Sequence, residues 1–222
     1  RGLGDVYKRQ PEGLYCPKAQ AHIDPWRPVD CALITHAHAD HARTGSRLYH
    51  CALGGEGILK KRLGEHDIQT HAYGEVFILG DVKVSFHPAG HILGSAQIRV
   101  DDGTSVWVIT GDYKRVSDPT CQLFEPVPCD VLITEATFAL PIYRWPSMDQ
   151  VMDRLFSWWD HHVRNHRTPV LLCYSLGKAQ RIMAEISSRS DRSVLVHNAV
   201  ANLNIEYEQQ GIELCQWERA TE

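Results

Sequence analysis

The chain is short of several things. Its seven cysteines, at positions 16, 31, 51, 121, 129, 173 and 215, include no C-x-x-C pair. That excludes a thiolate zinc cage and a dithiol redox motif. An odd, scattered set, several of them inside apolar runs, reads as reduced core thiols and predicts a cytoplasmic protein. No apolar run approaches the ~18–20 residues of a membrane span, so no membrane partner is expected. The N-terminal stretch has no apolar core of signal-peptide length. Neither sign of charge dominates, with a formal net charge of −4, so the basic footprint of a duplex-coating protein is missing. Internal repeats and low-complexity segments are absent as well. The initiating methionine is missing too, and Arg1 to Gln10 reads as translated sequencing read-through, so residues 1–10 are set aside from the fold. The sequence ends in a polar stretch, Trp217 to Glu222, which predicts a fragment lacking C-terminal elements.

What is present is a dense polar cluster. His36, His38, Asp40 and His41 follow the apolar run Cys31-Ala32-Leu33-Ile34 in the stretch CALITHAHADHAR. The run is strand-like and the cluster sits where the strand would end. Three imidazoles and a carboxylate in six positions are costly to bury without a partner, and a metal ion suits this set. His36 and His38 are two apart and point the same way in extended chain; Asp40 and His41 are adjacent and diverge, which suits a second metal.

Two later residues have the same setting. His91 follows the strand-like run Val82 to Phe86, inside His87-Pro88-Ala89-Gly90-His91. Asp112 follows Ser105 to Ile109, inside Thr110-Gly111-Asp112-Tyr113. Taken singly they are a loop histidine and a turn residue. After the tetrad they read as a third imidazole and a carboxylate able to bridge two metals. Zn²⁺ suits this donor set and Mn²⁺ is tolerable.

The stretches THAHADHA, PAGHILGSA, TGDYK and LITEATF, in this order, resemble the metallo-β-lactamase superfamily, and within it the nucleic-acid-processing β-CASP branch. IDPWRPVD, GDYKRVSDPTC, FEPVPCD, LPIYRWP and YSLGKAQR resemble its bacterial ligase-associated DNA exonuclease subgroup, also described as mRNA 3′-end processing factor-like. The likeness runs from about Gly13 to the end. It implies a hydrolase with two metal ions, cutting phosphodiester bonds of DNA in repair, with functional association to a DNA ligase and a helicase. It implies that His36, His38 and His91 hold one metal, Asp40 and His41 the other, and that Asp112 bridges them. Asp40 would also orient the attacking water. Glu135 would be catalytic, orienting a histidine that protonates the leaving oxygen. That histidine and a last metal ligand would lie beyond residue 222, so this piece alone is expected to be inactive.

The expected fold is α/β: an incomplete metallo-β-lactamase αβ/βα sandwich over 11–140, contributing one sheet layer here, then part of a β-CASP-type lobe over 146–222. Val76 to Leu79 with Val82 to Phe86, and Ala96 to Val100 with Thr104 to Ile109, read as hairpins. Ser147 and Gln150 form a capping-box pattern opening a helix to about Asn165, with Val151, Leu155, Trp158, Trp159 and Val163 on its apolar face. Pro169 to Tyr174 reads as a strand, 178–189 as a helix, 193–197 as a strand, and 199–210 as a helix stopped by Gly211. Such alternation predicts parallel sheet.

Other readings stay open. Gly177, Lys178 and Arg181, at a strand-to-helix turn, are a phosphate cradle or an ordinary helix cap with solvated charges. Glu135 taken alone is a surface glutamate. His161, His162 and His166 read as surface histidines. Trp145, Trp158 and Trp159 could stack bases, though the helical pair fits core packing better. A β-CASP RNA nuclease is the nearest rival. A single-lobe metallo-hydrolase, a glyoxalase II-like thioesterase or a lactonase, would need His197 as its extra ligand. A metal-free binding scaffold is disfavoured by the intact ligand set.

Overall fold

The computed structural model describes residues 8–220. Most of the stretch set aside at the N-terminus therefore lies outside the described residues. Its last three, Lys8–Gln10, form β1 and pair antiparallel with β2 (Gly13–Cys16).

Two sheets make up the body. The first runs β1, β2, β3 (Ala21–Ile23), β4 (Cys31–Leu33), β5 (Leu48–Ala52) and β6 (Asp67–His71), parallel from β3 onward. Helix α1 (Glu56–Leu63) makes the crossover between β5 and β6, as parallel pairing requires. The second sheet is a meander of β7 (Val76–Leu79), β8 (Val82–Pro88), β9 (Ala96–Asp101) and β10 (Val106–Ile109), closed by β11 (Val131–Ile133) parallel to β10. Both hairpins read from the sequence form here.

Strand alternation places the core. Val82, Val84 and Phe86 share one face with Ala96, Ile98 and Val100 of the neighbouring strand, and that face meets Ala21, Ile23, Leu33 and Ala52 of the first sheet. Residues of the opposite parity in the first sheet, Ala32, Tyr49 and Cys51, pack outward against Ile58, Leu59 and Leu63 of α1. Fully burying a side chain such as Phe86 contributes roughly 1.5–3 kcal/mol. The first region thus supplies two facing sheets where one layer was expected. The strand patterns gave β4 and the strands of the second sheet, but not β2, β3, β5 or β6, and which sheet each joins is decided by long-range pairing that periodicity does not carry.

The later segment runs α2 (Met148–Arg164), α3 (Lys178–Ser187), β12 (Val194–Val196), α4 (Asn198–Gln209) and β13 (Trp217–Arg219). The Ser147–Gln150 capping box forms. β12 and β13 pair in parallel, and β13 was hidden in a stretch read as merely polar. α4 lies on the same outer face of the first sheet as α1, through buried Leu203 and Tyr207, and the Tyr207 hydroxyl accepts the Leu93 N–H at 3.4 Å.

Two expectations need correcting. The packed face of α2 is Met152, Leu155, Phe156 and Trp159, whereas Val151 and Val163 face solvent. Pro169 to Tyr174 forms no strand, and Leu172 is 94% exposed. A strand needs a neighbour to take its N–H and C=O groups, and none pairs with this run among the described residues. No helix among the described residues is long and apolar enough to cross a membrane.

Candidate metal centre

Loops from both sheets meet at one edge. His36 and His38 lie just after β4, His91 just after β8, and Asp112 just after β10. His38 Nδ1 is 3.0 Å from His36 Nε2 and 3.2 Å from His91 Nε2. An Asp112 oxygen lies 3.8 Å from His36 Nε2 and 3.7 Å from His91 Nε2. One donor atom from each of the four falls within 4.8 Å of the others. The loop geometry is fixed locally: the Ser95 hydroxyl accepts the N–H groups of His91 and Ile92, and the Ala96 N–H donates to the Thr35 carbonyl, joining the two sheets at the site.

The outward-facing ring nitrogens are held too. His38 Nε2–H donates to the Leu176 carbonyl at 3.3 Å. Asp24, at the end of β3, accepts the Thr35 N–H at 2.8 Å and the Thr35 hydroxyl at 2.5 Å. With its proton committed there, Thr35 Oγ1 accepts from His36 Nδ1 at 3.1 Å. These partners assign the tautomers, leaving lone pairs of His36 Nε2 and His38 Nδ1 aimed at each other. Gly111, at φ 54°, makes room for Thr35; a Cβ there would lie 2.6 Å from its side chain.

His41 extends the cluster on the far side of Asp112. Its Nε2 is 3.4 Å from Asp112 and 3.7 Å from Asp40, while its Nδ1–H donates to Asp24 at 2.7 Å. Asp40 sits at the rim with most of its carboxylate in solvent. Asp24 carried no assigned role in the sequence reading. Its signal was the one that marked Asp112, a carboxylate ending an apolar strand.

The electrostatics divide the histidines. Burial, with the neighbouring imidazoles, pushes His36 well below the usual histidine range and His91 down to about 4. Burial lowers His38 as well, against its Leu176 bond. Burial also disfavours charge on His41, but hydrogen bonds with Asp112 and Asp24 outweigh it and raise the pKa to about 10. Asp112 is held low, first by its bond to His41. The result is three neutral imidazoles beside a place where carboxylates favour positive charge. Facing lone pairs at 3.0 Å are relieved by a shared cation, so the residues present fit a divalent metal.

Glu135 follows β11 and lines an open cleft with His41, Asp112 and Thr110. Its carboxylate accepts the Thr137 N–H at 2.9 Å and the Tyr113 N–H at 3.4 Å. Gly177 abuts the centre: a Cβ there would lie 2.5 Å from Ile92 and 4.0 Å from His38. Its N–H is taken by Gln180. Lys178 is exposed over the Tyr174 ring. Arg181 instead faces inward, 3.3 Å from Asp118, a buried carboxylate that also binds Lys114 at 2.8 Å. His197 caps α4 through the Ala199 N–H and is outside the grouped donors.

Fold and donor set together define a candidate metal centre built where two sheets meet. No family model matches the chain. A protein of Opitutus terrae named "Probable DNA ligase" is 31% identical over 203 residues, covering 90% of this chain and 20% of the relative. An "RNase J-like protein" of Methanocaldococcus jannaschii is 27% identical over 191 residues, covering 73% and 44%. The chain therefore spans a fifth to less than half the length of these relatives. A solved structure, a protein of unknown function from Enterococcus faecalis, superposes with a TM-score of 0.59 at 16% identity, over 86% of this chain and 51% of that one, and shares the mixed α/β fold. The chain belongs to the metallo-β-lactamase superfamily, in its β-CASP branch.

Proposed function

We propose that the chain carries the metal-binding part of a dinuclear-metal phosphodiesterase, a DNA exonuclease of the ligase-associated kind that acts in repair in the cytoplasm. The two facing sheets are read as the metallo-β-lactamase sandwich, and the segment after residue 146 as part of a β-CASP-type lobe. The observation that carries the reading is the grouping of His36, His38, His91 and Asp112 within 4.8 Å, with His41 on the other side of Asp112. His36, His38 and His91 would hold one ion, Asp40 and His41 the second, and Asp112 both; Zn²⁺ fits best and Mn²⁺ next. Two such ions lower the pKa of a water towards about 7 and neutralise phosphate oxygens.

The chain's own groups do the rest. Asp40, solvent-facing beside His41, accepts a hydrogen bond from the attacking water and aims it. Asp24 and Thr35 fix the imidazoles. Glu135 faces the cleft where a leaving group would depart and orients its proton donor. Gly177 lies against the centre, and the exposed Lys178 next to it would carry its charge to a phosphate; Arg181 pairs with Asp118. The Opitutus relative's name supports DNA and the Methanocaldococcus relative's name supports RNA.

The test is elemental analysis of the purified chain together with hydrolysis of a p-nitrophenyl phosphodiester, whose leaving group needs no proton. The piece alone should bind metal and turn over little, whereas a longer protein that includes it and the proton-donating histidine should show metal-dependent phosphodiester turnover with two bound ions, and there comparison of single-stranded DNA with RNA ranks the substrates. Preference for a thioester or lactone would overturn the reading.

A further inference from the structure

Three aromatic rings in the segment after Glu135 belong to none of the core clusters. Phe138, Tyr143 and Trp145 are 57%, 43% and 69% exposed. Tyr143 and Trp145 are nearly parallel, 9° apart with centroids separated by 6.3 Å. Phe138 stands close to perpendicular to both, with centroids at 5.1 and 5.2 Å. Two consecutive turns hold the arrangement, Ala139 N–H to Ala136 O and Tyr143 N–H to Leu140 O. Single exposed apolar side chains are ordinary, but rings gathered on one another in water mark a binding surface.

We infer that Phe138, Tyr143 and Trp145 form a stacking platform for bases of single-stranded nucleic acid entering the metal centre. Aromatic faces bind any base, which suits an enzyme that moves along a strand. Arg144 lies between the two walls in sequence, exposed and with no carboxylate partner among the described residues. That charge complements a phosphate backbone and would repel a quaternary ammonium, the other ligand of an aromatic cage. Position supports the same occupant. Phe138 is three residues past Glu135, so their Cα atoms are at most roughly 11 Å apart. The segment that carries the rings thus leaves directly from the cleft shared by Glu135, His41 and Asp112.

The inference rests on the nucleic-acid reading above, and its test separates the two. Binding is measured on the metal-loaded chain with cleavage-resistant phosphorothioate backbones, by anisotropy of a labelled single strand carrying bases and of an abasic strand of equal length. The wild-type chain should prefer the base-bearing strand. Trp145→Ala and Tyr143→Ala should weaken that strand by about tenfold or more each and leave the abasic strand unchanged. Circular dichroism and metal content of the variants should match wild type. Equal binding of the base-bearing strand by wild type and variants overturns the platform while leaving the nuclease reading intact. Failure of wild type to bind either strand overturns the nucleic-acid reading and the platform with it. A tryptophan fluorescence change that is lost in Trp145→Ala and saturates at lower tetramethylammonium than mononucleotide concentration overturns the platform in favour of a cation cage.

Discussion

His38 Nε2 and the Leu176 carbonyl oxygen meet at 3.3 Å, across 138 positions of sequence. The turn before α3 thereby sets the tautomer of a ring whose other nitrogen faces the proposed metal. Orienting partners of this kind typically govern 10–100-fold of metal affinity.

Gly177→Ala should break that relationship. The residue sits at φ 87°, and the new methyl would lie 2.5 Å from Ile92. The turn must withdraw, taking Leu176 with it. Zn²⁺ affinity should fall by about ten- to a hundredfold with little change in far-ultraviolet circular dichroism, as checked by competition with a chromophoric chelator.

Asp24→Asn should act through His41. The carboxylate accepts from His41 Nδ1 and from Thr35 at once, and an amide can match only part of this. One of two bound metals should be lost or weakened by about 10–100-fold, while the metal among His36, His38 and His91 stays. Retention of both at wild-type affinity would show that Asp24 only shapes the loop.

In a longer protein that carries the proton-donating histidine, Glu135→Gln should keep full metal content. The side chain caps backbone N–H groups of Tyr113 and Thr137 rather than entering the donor group. Its defect should be smallest on the p-nitrophenyl phosphodiester and larger, about 10²–10⁴-fold, on substrates whose leaving oxygen needs a proton. Elemental analysis beside rates on both substrates decides this.

Acid should loosen the far end of the first sheet. His50 and His71 are buried, share a 3.0 Å contact between ring nitrogens, and stack with Phe77. Burial first, then the His71 charge, lowers His50 to about 4. The unfolded chain takes up this proton near pH 6.5, before the folded one does. Stability is therefore complete above pH 6.5 and falls between there and pH 4, by up to about 1.4 kcal/mol per pH unit for this group. Urea titrations at pH 8 and 5 should show the loss, and His50→Leu should show a smaller one.

The candidate site was legible in sequence because polar residues at strand ends leave short, local marks. His36, His38, His91, Asp112 and Glu135 each follow an apolar run, and turn glycines punctuate the hairpins. Supporting contacts were less legible. Leu176 acts through a backbone carbonyl, which any residue supplies, and Asp24 looks like a turn residue until Thr35 and His41 are placed beside it. Pro169 to Tyr174 failed for the converse reason: its composition suits a strand, but pairing is a property of a neighbour. The face of α2 was misjudged because Met152, Phe156 and Val151 are all apolar, and only packing says which of them faces inward.

His36, His38 and His41 come from the first sheet; His91 and Asp112 come from the second. An ion gripping both sets binds the sandwich only when the layers are docked, so its affinity becomes part of the folding equilibrium. At a free metal concentration one hundred times Kd, one such site adds about 2.7 kcal/mol to stability. A chelator would then act on this chain as a denaturant does, and scarcity of metal would be felt as loss of the protein before it was felt as loss of a rate.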